Sequence, residues 1–149
     1  MKARDFLTRE ECRRIEAAIG AAERGTSGEI RIHIERKCTS DPRERALRSF
    51  HFLGMTGTAA RNAVLIYVAC ESRRFAVLGD KGINEVVPAG FWKDVCELLA
   101  EAFAAGRQAD GLERAVTLVG EKLKNFFPYR EDDVNELPDE ISFDENEED

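Results

Sequence analysis

The sequence predicts an α/β protein, an α/β/α sandwich whose small mixed central sheet combines a βαβ unit with a hairpin and is flanked by about four helices. Three observations lead there. Ala63 to Cys70 is an unbroken apolar run rich in Val, Ile, Leu and Tyr, and Phe75 to Leu78 is a second. Short continuous apolar runs bounded by polar turns fit strands buried on both faces. Between them stands only Glu71-Ser72-Arg73-Arg74, a hairpin-length connection that makes the two strands antiparallel neighbours. Upstream, Glu29 to Glu35 alternates Ile30, Ile32 and Ile34 against Arg31, His33 and Glu35, the pattern of a half-buried strand. A helical stretch divides it from the apolar run, giving a strand–helix–strand crossover that is right-handed as a rule.

In chain order, Thr8 and Glu11 form a capping box, with Leu7 placed to staple onto Cys12. The helix behind it runs to about Arg24, with Cys12, Ile15, Ile19 and Ala22 as its apolar stripe. Gly25-Thr26-Ser27-Gly28 ends it and leads into the alternating strand. Asp41-Pro42-x-Glu44 supplies an N-cap, a proline at the first helical position and an acid in the first turn. That helix turns Leu47 and Phe50 inward, and Gly54 or Gly57 closes it. After the hairpin, a helix from about Gly90 to Ala105 carries Trp92, Val95, Cys96, Leu99 and Phe103 on one stripe. Asp110 with Glu113 suggests a second capping arrangement, followed by a helix built on Leu112, Ala115, Val116, Val119 and Leu123.

Charge divides the chain into two parts. Residues 131–149 hold eleven of the 29 acids and no base, so residues 1–130 carry a net +4 and the tail −11. The boundaries expected are a domain over 1–130 and an acidic tail over 131–149, whose first half docks through Leu137, Pro138, Ile141 and Phe143. A mildly basic body behind an acidic tail argues against a nucleic-acid partner. No stretch approaches the ~20 apolar residues of a membrane span, and no apolar segment follows the N-terminus to act as a signal peptide. A cytoplasmic monomer is expected. Cys12, Cys38, Cys70 and Cys96 lack any Cys-x-x-Cys spacing, so they read as reduced thiols rather than zinc ligands.

The hairpin also nominates a site. It brings Arg61 and Asn62, which precede the first strand, beside Gly79 and Asp80 at the end of the second. The parallel strand would bring Glu29 to the same edge. Gly79-Asp80-Lys81-Gly82 can present backbone N–H groups to an anion or carbonyls to a cation, although it lacks the Walker A spacing. A tight turn after a strand is the plain alternative. His33-Ile34-Glu35 matches the H-x-E of zinc deaminases but lacks the Pro-Cys-x-x-Cys partner, so His33 reads as a surface or packing residue, as does His51. Neither histidine has a nucleophile in a suitable context. Glu131 to Glu136 is rich in the hard oxygen ligands that suit Ca²⁺ or Mg²⁺, without the EF-hand's glycine and spacing.

Ser27-Gly28-Glu29-Ile30, Arg61-Asn62-Ala63-Val64-Leu65, Gly79-Asp80-Lys81-Gly82-Ile83-Asn84, Phe91-Trp92 and Asn135-Glu136-Leu137-Pro138 together resemble the TPM-domain family. The resemblance runs from about Phe6 to Phe143. That family includes thylakoid-lumen proteins tied to photosystem II repair and many bacterial proteins. Membership implies an α/β/α sandwich, with acid-phosphatase activity in some members and divalent-cation binding, calcium included, in others. The reading that follows is a cation-binding domain acting as a metal-dependent phosphomonoester hydrolase. Asp80 would be the principal metal ligand, joined by Glu29 or by Asp132 and Asp133, with Ca²⁺ favoured over Mg²⁺. Arg61 would hold a phosphate oxygen, and Asn62, Asn84, Gly79 and Gly82 would complete the pocket. Two alternatives stay open: a non-enzymatic module that docks a protein partner, and a domain with purely structural calcium.

Overall fold

Thr8 opens the first helix, α1 (Arg9–Glu23), with both halves of the capping box. Its hydroxyl accepts from Glu11 N at 3.0 Å, and the Glu11 carboxylate accepts from Thr8 N at 2.8 Å. The computed structural model describes residues 1–130 and 136–146. Strand β1 (Glu29–Glu35) follows, then α2 (Pro42–Phe52), capped by Asp41 and stopped at Gly54, whose φ of 71° suits a residue without a Cβ. The hairpin is β2 (Ala63–Ala69) and β3 (Arg74–Gly79). Helices α3 (Lys81–Asn84), α4 (Lys93–Ala104) and α5 (Gln108–Lys124) come next, and β4 (Ser142–Asp144) lies in the acidic segment.

The sheet order is β3-β2-β1-β4, with β1 parallel to both neighbours and β2 antiparallel to β3. One face carries Ile30, Ile32, Ile34, Val64, Ile66 and Val68, packed against α1, α4 and α5. The other carries Ala63, Leu65, Tyr67, Ala76 and Leu78 under α2, where Ala46, Phe50 and Leu137 close the second core. This is the expected α/β/α sandwich around a mixed sheet. Among the described residues no helix is long and apolar enough to cross a membrane, and all four cysteines are free thiols.

Five local expectations change, the first being that Leu47 of α2 is exposed rather than turned inward. Asp110 and Glu113 do not cap a helix, because α5 has already begun at Gln108; both acids instead bind the Arg14 guanidinium of α1, Asp110 at 2.8 Å. The stretch after Asp80 is one turn of helix rather than an open loop. Strand β1 is buried along both faces, not one. On its second face α2 and Tyr67 partner Glu35, and residues 136–146 partner Glu29 and His33, so the part of the tail that packs on the domain extends through β4 to Asn146. Glu145 accepts from Ala3 N and Arg4 N at 2.7 and 2.9 Å, and the Asn146 amide oxygen accepts from Arg36 N and Lys37 N at 3.0 Å. Those contacts fasten the end of the segment to both the N-terminus and the exit of β1.

The turn into α3 leaves no room for a side chain at Gly82. A Cβ there would sit 2.2 Å from the Ala60 carbonyl oxygen and 2.6 Å from that of Arg61, both backbone atoms. Gly82→Ala is therefore expected to destabilise by about 1–3 kcal/mol in chemical denaturation, the usual range for overpacking. A variant as stable as the parent would show that the α3 turn does not pack as described.

Candidate functional site

Two residues at the expected edge meet directly. Arg61 Nε donates to Asp80 Oδ2 at 2.7 Å, and its Nη2 donates to Oδ1 at 2.9 Å, a two-pronged pair of the kind guanidinium and carboxylate geometry favours. Asp80 is 6% exposed, whereas the Arg61 side chain keeps 41% of its surface in solvent. Arg61 adopts a left-handed φ of 51°, an unusual backbone for an arginine. Gly82 N donates to Arg61 O at 2.8 Å, which helps to hold that conformation.

This pairing gives Asp80 a structural task in addition to the one expected of it. Its Oδ1 also accepts from Lys81 N at 2.7 Å, capping α3, so both carboxylate oxygens are occupied. The N–H groups of Lys81 and Gly82 are likewise spent, on Asp80 and Arg61, rather than aimed at an anion. Gly79 ends β3, where its carbonyl accepts from Asn84 Nδ2 at 3.0 Å. Arg61 lines a cleft of about 650 Å³ with Arg43, His51, Lys81 and Asn84. Asp41, Glu44 and Glu85 share its wall, so the lining is of mixed charge.

Glu29 reaches the same edge but not the same place. It pairs with Ala63, and Ala63 O accepts from Asp80 N at 2.9 Å, so the three residues form one row across three strands. Two strand spacings, about 10 Å, separate the Glu29 and Asp80 backbones. Glu29 is 4% exposed and turns to the returning chain, where its Oε1 accepts from Leu137 N at 3.0 Å. Burial pushes its carboxyl above the usual range; hydrogen bonds from the Leu137 and Glu136 backbone oppose this, and the charges of Glu136 and Asp139 reinforce it. Glu23, at the end of α1, adjoins the same group. Burial and a hydrogen bond with Asp139 push it up to about 9, against the Ile30 N–H that it accepts at 2.8 Å. Asn62 is 1% exposed; its Nδ2 donates to Ser27 Oγ at 3.4 Å, and its Oδ1 has no partner among the described residues. Asp132 and Asp133 lie outside the described residues.

The donor set around Glu29 consists of oxygens, the crowded carboxylates of Glu23, Glu136 and Asp139. That composition fits a hard cation such as Ca²⁺ and not a soft one. Glu23 and Asp139 escaped the sequence reading because nothing in their spacing links the end of α1 to the tail. The signal that was present is the apolar spacing of Leu137, Ile141 and Phe143 inside an acidic run.

At the opposite end of β1 lies a second polar group. His33, expected as a surface or packing residue, is 5% exposed, and its Nδ1 stands 2.6 Å from Ser142 Oγ. Glu35 Oε1 accepts from Tyr67 OH at 2.7 Å and from Arg45 Nε at 2.9 Å. Burial pushes the Glu35 carboxyl up, but the hydrogen bonds from His33 and Tyr67 and the Arg45 charge outweigh it and hold the group below its usual value. The Tyr67 hydroxyl is raised, by burial first and by Glu35 second.

The profile of the TPM domain matches residues 1–122. The chain belongs to the TPM-domain family. Among solved structures, this TPM domain is similar to the BA42 protein of the psychrophilic bacterium Bizionia argentinensis, with 43% identity and a TM-score of 0.88 over 93% of this chain and 96% of that one. Two further NMR structures share the fold. The N-terminal domain of cg2496 from Corynebacterium glutamicum is 14% identical, with a TM-score of 0.62 over 78% of this chain and 74% of that one. An N-terminal domain from P. gingivalis is 16% identical, with a TM-score of 0.65 over 84% and 82%. No curated protein sequence matches the chain.

Glu23 sets a pH dependence with a definite sign. Its folded value of about 9 lies above the ordinary 4.5, so between those limits the folded state keeps a proton that the unfolded chain has released. Stability therefore falls as pH rises through that window. Glu23→Gln, which mimics the protonated form, should match the parent at pH 5 and exceed it at pH 8 in thermal melts. Parallel curves for the two proteins would show that Glu23 ionises normally.

Proposed function

We propose that this TPM domain binds a divalent cation, Ca²⁺ ahead of Mg²⁺, at Glu29 and the tail carboxylates beside it, and that Arg61 receives a phosphoryl oxygen of a phosphomonoester substrate. The observation that carries the reading is the crowding at Glu29. A buried carboxylate is held beside Glu136 and Asp139. Like charges raise one another's proton affinity, and a cation relieves that repulsion in place of the proton. Asp132 and Asp133 belong to the same acidic segment and are candidates to add ligands.

Within this proposal the chain's own residues have separate tasks. Glu29 and the tail acids hold the cation. Asp80 fixes two of the Arg61 nitrogens, leaving Nη1 of the half-exposed guanidinium for a phosphoryl oxygen. Lys81 and Asn84 line the same cleft and are placed to orient the rest of the ester. A bound divalent cation would neutralise the crowded carboxylates at Glu29 and make a water bound there more acidic.

Calcium titration followed by residue-resolved NMR, run beside hydrolysis of an aryl phosphate, tests both parts. Glu29→Gln should weaken calcium binding by at least about tenfold, the scale seen for groups that support a metal. Asp80→Asn should leave calcium affinity close to that of the parent and lower turnover by about tenfold or more, because Arg61 loses its anchor. Unchanged calcium affinity in Glu29→Gln would remove the cation site, and unchanged turnover in Asp80→Asn would remove the role of the ion pair.

A non-enzymatic docking module is the second reading. It is favoured by the exposed apolar side chains on and after α2 and α3, Leu47, Phe52 and Val86, of which Leu47 lines the cleft. Calcium binding without hydrolysis of any phosphomonoester would support it.

A further inference from the structure

The parallel register of β1 and β4 sets two short motifs side by side. His33 pairs with Ser142 and Glu35 with Asp144, so His33-x-Glu35 lies along Ser142-x-Asp144. Alternate residues share a face and paired residues point the same way. All four side chains therefore stand on the face of the sheet away from α1, α4 and α5. One ligand atom from each of His33, Glu35 and Asp144 falls within 4.8 Å of the other two.

From this we infer a transition-metal site of the zinc class, formed by His33 Nε2, Glu35 Oε2 and a carboxylate oxygen of Asp144. It lies at the far end of β1 from Glu29 and is independent of the calcium proposal.

The atoms around the site are already arranged as supporting partners. Ser142 Oγ lies 3.4 Å from Ile32 O, placed to donate its one proton there, and 2.6 Å from His33 Nδ1. In the tautomer with its hydrogen on Nδ1, the imidazole donates to Ser142 and the lone pair stands on Nε2. On Glu35, Tyr67 and Arg45 both occupy Oε1, and His33 is placed against Oε2. In the other tautomer Nε2–H donates to Glu35 Oε2; in the Nδ1–H form the lone pair and the carboxylate oxygen face each other at 3.3 Å and need a positive centre between them. A proton is the simplest one. A tetrahedral cation is the other: bonds of about 2.1 Å place neighbouring ligand atoms about 3.4 Å apart. Histidine ligands of zinc characteristically have the second ring nitrogen fixed by a hydrogen bond and the ligating carboxylate held by its other oxygen, as here.

Access comes from the outer strand. Glu35 and His33 are buried, whereas Asp144 is exposed on β4, so its rotamer can close on the ion and water can fill a fourth position. Mixed imidazole and carboxylate donors suit Zn²⁺ or Co²⁺ and set this site apart from the oxygen-only set at Glu29.

The test uses the full chain free of any histidine tag, titrated with Co²⁺ and then Zn²⁺. One Co²⁺ per chain should bind with the intense visible absorption of low coordination number, survive excess Ca²⁺, and be displaced by Zn²⁺. The His33 ring resonances should move on Zn²⁺ addition. Asp144→Asn, an exposed change that leaves the core intact, should weaken binding by at least about tenfold; His33→Gln should abolish it. Absence of Co²⁺ binding, unchanged affinity in Asp144→Asn, displacement by Ca²⁺, or unmoved His33 resonances would each overturn the site.

Discussion

A row of polar side chains on an interior strand is the constraint from which the rest of this structure follows. Glu29, Arg31, His33 and Glu35 occupy one face of β1, and all but Arg31 are buried. Burying such groups without partners costs several kcal/mol each, so the fold must supply hydrogen bonds along the whole strand. Apolar neighbours on β2 cannot do this, with the exception of the Tyr67 hydroxyl. Arg45 of α2 does so for Glu35, and the returning acidic segment for Glu29 and His33. Leu137 N meets Glu29, Ser142 meets His33, and β4 completes the backbone pairing of β1.

The same constraint explains why chemistry gathers at the two ends of β1. At its start, Glu29 needs the tail, and the tail arrives with Glu136 and Asp139, so covering one carboxylate brings others beside it. At its end, Glu35 is matched by Arg45 and Tyr67, while His33 and Asp144 complete a group of different chemistry. The Arg61–Asp80 pair lies to the side of this row. It belongs to the β3–α3 turn, and its closest parallels are the features that stiffen that turn, Gly82 against two carbonyls and the capped first residue of α3.

Much of the architecture was legible because it depends on local pattern. Ala63 to Cys70 could only be a doubly buried strand, and Asp41-Pro42 could only open a helix. The meeting of Arg61 with Asp80 followed from hairpin length alone. What could not be read was occupancy. Sequence placed a guanidinium beside a carboxylate but did not show that the pair would join in two prongs while Asp80 also caps α3. Asp110 and Glu113 misled for a related reason: an acid pair three residues apart looks like a cap until Arg14, 96 residues before Asp110, claims it. β4 was hidden because three residues of strand inside an acidic run have no periodicity of their own. Their pairing depends on β1, which is far away in sequence.

Cover from the returning segment is the central claim, and amide hydrogen exchange reads it directly at Leu137 and Ile141, whose N–H groups are bound by Glu29 and Glu16 at 3.0 and 2.9 Å. If 136–146 is an integral part of the sheet, those two amides open with β1 and exchange within about tenfold of its central residues. Exchange at nearly unprotected rates at Leu137 and Ile141, with β1 still protected, would show that the polar row is stabilised by something other than this segment.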